Sequence, residues 1–364
     1  VDTVALAYSD LSSARVLTLA ARANAAGDDF VTVAPQRTML PATRPVIAVC
    51  AVRTGCGKSQ IARFLASELS DGGRSVAAIR HPMPYGHLAR QAVQRFASRA
   101  DLDAAACTLE EREEYEPHIE AGGVVFAGVD YEKICQAASA EADVIIWDGG
   151  NNDFPFIRPD LSIVVVDALR PRHLDTHHPG TAVLLGADVV VVNKVHAASH
   201  RQRETVDAEL DRLVPEVPRI YAASPVTLDD PDRIRGARVL IVEDGPTITH
   251  GGMPHGAGHQ AVHNLDVARI IDPRDSAHPE IRAVYDAYPH IGLVLPAMGY
   301  SDTQLAALRK TILDSHADVV VSGTPIDLAA ALDLPLPVVR ARYRYQEQAG
   351  AGPTLLEHVR RVLG

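Results

Sequence analysis

The sequence predicts a doubly wound α/β fold with a mainly parallel sheet, and three observations carry that expectation. The run at 46–51 is unbroken and apolar, and 143–147, 161–166 and 188–192 are apolar but for one residue each and rich in Val and Ile, as in strands covered on both faces. The segment after the first run carries apolar residues at helical spacing, at Ile61, Phe64, Leu65 and Leu69. The runs alternate with helical segments, and this βα alternation fits a mainly parallel sheet with helices on both faces.

At 364 residues, 47% apolar and 22% charged, the chain is long enough for two or three domains with sizeable cores. No apolar run reaches the length of a membrane span, so no membrane partner and a cytoplasmic location are expected. A net charge of −11 argues against nucleic acid as a partner and leaves any phosphorylated ligand to local clusters of Arg, Lys and His. The four cysteines, Cys50, Cys56, Cys107 and Cys135, form no Cys-x-x-Cys pair, so neither a disulfide framework nor a zinc knuckle is implied. The chain opens on Val1 without methionine or signal peptide, and a further segment upstream is expected.

In chain order, 1–42 reads as strand (4–7), helix (14–25) and strand (30–33), closed by Pro41 and Pro45. This is too little for a domain and is expected to be the end of an N-terminal α/β domain, or else an edge of the core. The strand at 46–51 then meets Arg53-Thr54-Gly55-Cys56-Gly57-Lys58-Ser59-Gln60 and a helix. Strand, glycine loop, Lys-Ser and helix make a phosphate-binding loop, because backbone N–H groups cradle phosphate oxygens only where Cβ atoms are absent. Lys58 is placed to reach β- and γ-phosphates, Ser59 to ligate Mg²⁺, and the helix N-terminus adds partial positive charge. Val52 stands where the standard pattern has its first glycine, and a plain glycine turn with a surface lysine is the blander reading.

The strand at 75–79 delivers Arg80-His81-Pro82-Met83-Pro84-Tyr85-Gly86, so Arg80, His81 and Tyr85 are substrate candidates at a strand end, against a rigid connection with solvated side chains. The acidic run 110–118 reads as a solvated helix face, with Mg²⁺ binding or base catalysis as its alternative. Asp148, closing the strand at 143–147, is what Mg²⁺ coordination through water requires; Asn151 and Asn152 follow it as substrate candidates. After the strand at 161–166, Arg170, Arg172 and His173 suit an anion clamp, since guanidinium groups hold phosphate oxygens bidentately; a metal site of His173, His177 and His178 is the alternative.

The strand at 188–192 ends in Asn193-Lys194-Val195-His196, like the base-recognition signature Asn-Lys-x-Asp of GTPases with His196 in place of the aspartate. Beyond Glu243, Gly251, Gly252, Gly256 and Gly258 punctuate a loop with His250, His255, His259 and His263. Spaced glycines suit a backbone anion nest, with His250 as a substrate contact, and metal binding is the alternative. Strands at 290–296, 317–322 and 337–341 with helices at 302–315 and 354–362 make a small C-terminal α/β extension. The expected bounds are 1–42, 43–242 for the nucleotide-binding core and 243–364 for the extension.

Loop, Trp147-Asp148-Gly149-Gly150 and Asn193-Lys194 fall in the order of a P-loop NTPase. Arg53 stands where the dimeric SIMIBI group of these proteins has a signature lysine reaching the partner's nucleotide, so a homodimer is expected and Arg53 joins Lys58 and Asp148 as a catalytic candidate. The runs 51–60, 81–86 (His-Pro-Met-Pro-Tyr-Gly), 110–118, 147–155 (Trp-Asp-Gly-Gly-Asn-Asn-Asp-Phe-Pro), 243–253, 288–292, 295–300 and 323–328 resemble the cyclic 2,3-diphosphoglycerate synthetase family. That resemblance implies ATP-dependent closure of 2,3-diphosphoglycerate, or a related phosphorylated small acid, to a cyclic pyrophosphate with release of ADP and phosphate.

The expected nucleotide site is then Thr54, Gly55, Cys56, Gly57, Lys58, Ser59 and Gln60 with Asn193 and Lys194, binding ATP, or GTP as the alternative, with Mg²⁺ on Ser59 and Asp148. The acceptor would be held by Arg80, His81, Tyr85, Asn151, Asn152, Arg170, Arg172, His173 and His250. A nucleotide-switched metallochaperone or regulatory GTPase is the rival from another class, and a P-loop scaffold without turnover is the third reading.

Overall fold

The computed structural model describes residues 2–80, 88–150, 152–249, 251–263, 265–298, 301–350 and 352–364. The chain divides into two compact units, one of Val1–Arg95, Ala121–Ser224 and Tyr345–Gly364 and the other of Phe96–Glu120 and Pro225–Arg344.

The first unit is built on a mostly parallel sheet in the order Gln346–Glu347, Arg219–Ala223, Val189–Asn193, Leu161–Asp167, Val46–Ala51, Val144–Asp148, Val76–Ile79, Val124–Ala127 and Gln94–Phe96. Every position of Val46–Ala51, Val144–Asp148 and Val189–Asn193 is buried, which is why these strands are continuous rather than alternating apolar runs. The helix Lys58–Asp71 lays Ile61, Ala62, Leu65 and Leu69 on the sheet. From Val46–Ala51 the chain moves outward on one flank, returns through Val144–Asp148 and crosses to Leu161–Asp167 on the other, all in parallel pairing. Strand order therefore reverses beside the glycine loop, where such sheets open a crevice at their carboxyl ends.

Residues 1–42 cluster with this unit. Thr3–Ala5 and Asp29–Val31 pair in parallel, the Ser12 side chain caps the helix Ser13–Ala25, and Leu11–Ser12 pairs antiparallel with His177–His178.

The second unit centres on Arg238–Asp244, flanked by Val319–Ser322 on one side and by Arg269–Ile270 and Leu295–Ala297 on the other, all parallel to it. Val338–Tyr343 and Val226–Leu228 extend the sheet beyond Val319–Ser322, the last pair antiparallel. The expected bound at 243 cuts through the central strand, and of 290–296 only its end, in Leu295–Ala297, is strand. The core holds Val239, Leu240, Ile241, Leu308, Ile312 and Val320.

The helix Leu109–Glu120 also belongs to this unit and buries Glu111, Glu113, Tyr115, Glu116 and His118. Its acidic run is thus not a solvated face. The carboxylates are held inside: Glu111 accepts the Thr108 N–H at 2.8 Å, and Glu116 pairs with Arg112 at 3.3 Å and accepts the Asp327 N–H. No helix among the described residues is long and apolar enough to cross a membrane.

Candidate active site

Gly55 and Gly57 take φ of 80° and 102°, conformations that disfavour side chains. At Gly57 a Cβ would also come within 2.4 Å of both Asn193 Nδ2 and Gln60 Nε2. The loop is gripped from the ends of two neighbouring strands. Arg170 donates to the Thr54 carbonyl at 2.7 Å, Lys194 Nζ to Gly55 O at 2.6 Å, and Asn193 Nδ2 to Cys56 O at 2.9 Å. Because C=O and the following N–H point opposite ways across a trans peptide, these contacts turn the N–H groups of Gly55, Cys56 and Gly57 away from the three donors. A cradle of that kind fits a phosphate.

Asp167, which the sequence reading did not select, organises the grip. It is buried, accepts from Lys194 Nζ at 2.8 Å and from Arg170 Nε at 3.1 Å, and also takes the Leu169 N–H. Burial acts to raise its pKa, but the Lys194 and Arg170 charges outweigh burial and leave it lowered. The signal was present: Asp167 closes an apolar strand just as Asp148 does.

Ser59 Oγ donates to Asp148 Oδ1 at 3.4 Å, and Asp148 is fully buried. A hydroxyl beside a carboxylate at the mouth of a phosphate cradle is a hard-oxygen donor set that fits Mg²⁺. Burial lowers the Lys58 pKa, opposed by the Asp148 charge and reinforced by Arg80. Arg80, expected to contact substrate, is instead 1% exposed, pairs with Asp148 Oδ2 at 2.7 Å and donates to Gly149 O.

Three further expected site residues have partners within the chain. Arg53 does not reach outward: it is buried, with Nε 3.0 Å from Asp10 Oδ1 and a terminal nitrogen against the His177 ring. Burial, then the Arg53 charge, lowers His177 to about 4, so the ring is neutral beside the guanidinium. Asn152 is fully buried, donates to Val52 O at 3.2 Å and accepts the Asp10 N–H at 3.1 Å, so it anchors backbone rather than substrate. Arg170 is committed to Asp167 and Thr54, as above.

Arg172 and His173 do line an open cleft of about 340 Å³ with Ser199, Arg201 and Gln202. Among the described residues no group of three or more His, Cys, Asp or Glu is arranged to hold a metal ion, so His173, His177 and His178 do not form one. His196 Nδ1 accepts the Ser224 N–H at 3.3 Å, and the Ser224 hydroxyl donates to Gln60. His81, Tyr85, Asn151 and His250 lie outside the described residues.

In the second unit the glycine-rich loop is indeed a nest, but the chain's own Glu243 fills it. Its carboxylate accepts N–H bonds from Gly256 at 3.1 Å, Gly258 at 3.2 Å and His259 at 2.8 Å. Burial raises the Glu243 pKa to about 7 against those three bonds.

No family model matches the chain. It is similar over 97% of its length, and 97% of the other, to LpxK from Aquifex aeolicus solved in complex with ATP, with a TM-score of 0.54 and 13% identity, which shows a shared P-loop NTPase fold. Hydrogenase maturation factor HypB from Archaeoglobus fulgidus matches 58% of this chain and 90% of its own at a TM-score of 0.32 and 14% identity. Arginine synthetase ArcE from Thermococcus kodakarensis is 53% identical over 334 residues, 92% of this chain and 75% of the relative. That match supports an enzyme of the ligase or synthetase kind and does not support the narrower 2,3-diphosphoglycerate resemblance. The chain belongs to the family of arginine synthetase ArcE.

Proposed function

We propose that this protein is an ATP-dependent synthetase that moves the γ-phosphoryl group onto an acceptor oxygen, after which a second nucleophile displaces inorganic phosphate. The observation that carries this is the Ser59 hydroxyl at 3.4 Å from the buried Asp148 carboxylate, next to Lys58 at the start of the helix. Lys58 and the loop N–H groups bind and orient the triphosphate and oppose the charge that develops on the transferred group. Mg²⁺ held by Ser59 and Asp148 would neutralise charge on the β- and γ-oxygens. Arg172 and His173, at the open cleft, are the acceptor-side candidates.

The acceptor follows from the relative. To make a guanidinium by this chemistry, a ureido oxygen takes the phosphoryl group; ammonia then forms the new C–N bond as the C–O bond breaks and phosphate leaves. Closure of 2,3-diphosphoglycerate uses the same first half, with a phosphate oxygen as acceptor and the second phosphate as nucleophile. The 53% identity to an arginine synthetase favours the first.

The test is incubation with Mg-ATP and either L-citrulline plus ammonium chloride or 2,3-diphosphoglycerate, following arginine by amino-acid analysis and phosphorus species by ³¹P NMR. Arginine with equimolar ADP and phosphate is expected. ADP release with neither acceptor, or release that survives Lys58→Ala, would overturn the reading.

A further inference from the structure

The second unit has a ligand-binding geometry of its own. The chain leaves Arg238–Asp244 for Arg269–Ile270 and Leu295–Ala297 on one flank and returns through Val319–Ser322 on the other, so strand order reverses at the carboxyl end of Arg238–Asp244. Two carboxyl groups meet there. Glu113, 6% exposed, lies beside the Asp244 carboxyl and the Thr324 hydroxyl. Two carboxyl groups side by side favour a proton on one of them.

Two buried polar atoms at this place have no hydrogen-bond partner among the described residues. One is Glu113 Oε1 and the other is the hydroxyl of Ser322, which is fully buried. Ser322 pairs in register with Val242, and since side chains alternate along a strand, it lies on the same face of the sheet as Asp244. An acidic pair, an unmatched acceptor and an unmatched hydroxyl on one face suit a ligand that donates several N–H bonds and carries positive charge.

We propose that Glu113 and Asp244 bind a small organic cation through its N–H groups, an ammonium or a guanidinium, at the carboxyl end of Arg238–Asp244. The cation replaces that proton, which leaves to the buffer, and Ser322 supplies a further acceptor. The titratable groups acting on the pair are Glu110 on the Glu113 helix and Glu243 beside Asp244; both are acidic and favour an added positive charge. Which cation enters rests on the synthetase reading; the site rests on the geometry alone.

Isothermal titration of the full chain with L-arginine and with ammonium chloride decides it. Potassium chloride at equal ionic strength is the control, and two amine-free buffers of different ionisation enthalpy measure protons. Binding of one N–H cation with release of up to one proton, and affinity that rises with pH, is expected. Glu113→Gln and Asp244→Asn should each weaken binding at least tenfold. Tighter binding of arginine than of L-citrulline, which shares its α-ammonium and carboxylate, assigns the site to a guanidinium, and tighter binding of ammonium than of arginine assigns it to an ammonium. No binding of either, equal binding of potassium, no proton released by the wild type, or unchanged affinity in both variants would overturn the proposal. Lys58→Ala should leave this titration unaltered. Arginine synthesis without cation binding here sinks this site alone, whereas cation binding without ATP turnover sinks the synthetase reading alone.

Discussion

Asp167 holds Lys194 at 2.8 Å, and the same ammonium grips the carbonyl of Gly55, so a carboxylate on one strand fixes the glycine loop through a lysine on the next. The lysine itself has a φ of 61°, unusual for a residue with a side chain, which aims it back at the loop.

Removing this grip should loosen the phosphate cradle. Lys194→Met is expected to weaken ATP binding about tenfold, the worth of one charge-assisted hydrogen bond, with the sheet intact. Asp167→Asn leaves Lys194 and Arg170 without their shared anion and should cost about 3–5 kcal/mol of stability. Calorimetric ATP titration and denaturant melts check both; an Asp167→Asn protein as stable as wild type would contradict the arrangement.

Asp148 serves Arg80 as well as Ser59, and the two roles separate by mutation. Asp148→Asn should abolish Mg²⁺-dependent turnover and also cost about 3–5 kcal/mol, because Arg80 stays buried without its partner charge. Adding Arg80→Met should restore stability without restoring turnover. Lys58→Ala, by contrast, should lower kcat by about 10²–10³-fold with stability changed by less than about 1 kcal/mol.

The pH dependence of stability carries a signature of Glu243. Its pKa, raised from 4.5 to about 7 on folding, gives stability that is fully present below 4.5 and is lost as pH rises through 7. The loss is on the order of 3 kcal/mol. His177, lowered from 6.5 to about 4, acts the other way, losing stability as pH falls between those values. Melts of wild type and Glu243→Gln across this range cancel the histidine, and the difference should grow from acid toward neutral pH. A constant difference would refute the shift.

The base preference turns on His196. Its Nδ1 accepts the Ser224 N–H, so Nε2 carries the proton and is a donor. It lacks the two acceptor oxygens with which an aspartate holds both N1–H and the exocyclic amine of guanine. ATP should bind at least as well as GTP, and His196→Asp should gain affinity for GTP. A tenfold preference of the wild type for GTP in calorimetry would show the argument wrong.

The strands of the first unit were legible because burial on both faces writes itself as a nearly unbroken apolar run, Lys58 and Ser59 because they open a helix behind a glycine loop, and Asp148 because it closes a strand. What was not legible is partnership. Arg80, Arg53, Arg170 and Asn152 look like ligand contacts in sequence, yet each is satisfied by a residue or carbonyl far along the chain. Glu113 and Glu116 resembled a wet helix face because the chain that covers them is distant in sequence, with Asp244 beside Glu113 and the Asp327 N–H on Glu116. Glu243 was invisible as the occupant of its nest, since nothing local distinguishes it from a carboxylate in solvent.

The first unit is assembled from three separated stretches, and this bears on the order in which the protein folds as it is made. Gln346–Glu347 pairs with Arg219–Ala223, and Leu355 and Val359 of the helix Leu355–Leu363 lie in the core of that unit. Translation delivers these residues only after Arg344, by which point every residue of the second unit already exists. On the ribosome the second unit can therefore close first, while the sheet carrying the phosphate cradle waits for its last strand and helix. A nascent chain arrested with Arg344 clear of the ribosome, residues 345–364 replaced by a flexible tether, should resist protease over Pro225–Arg344 and be cut within 121–224.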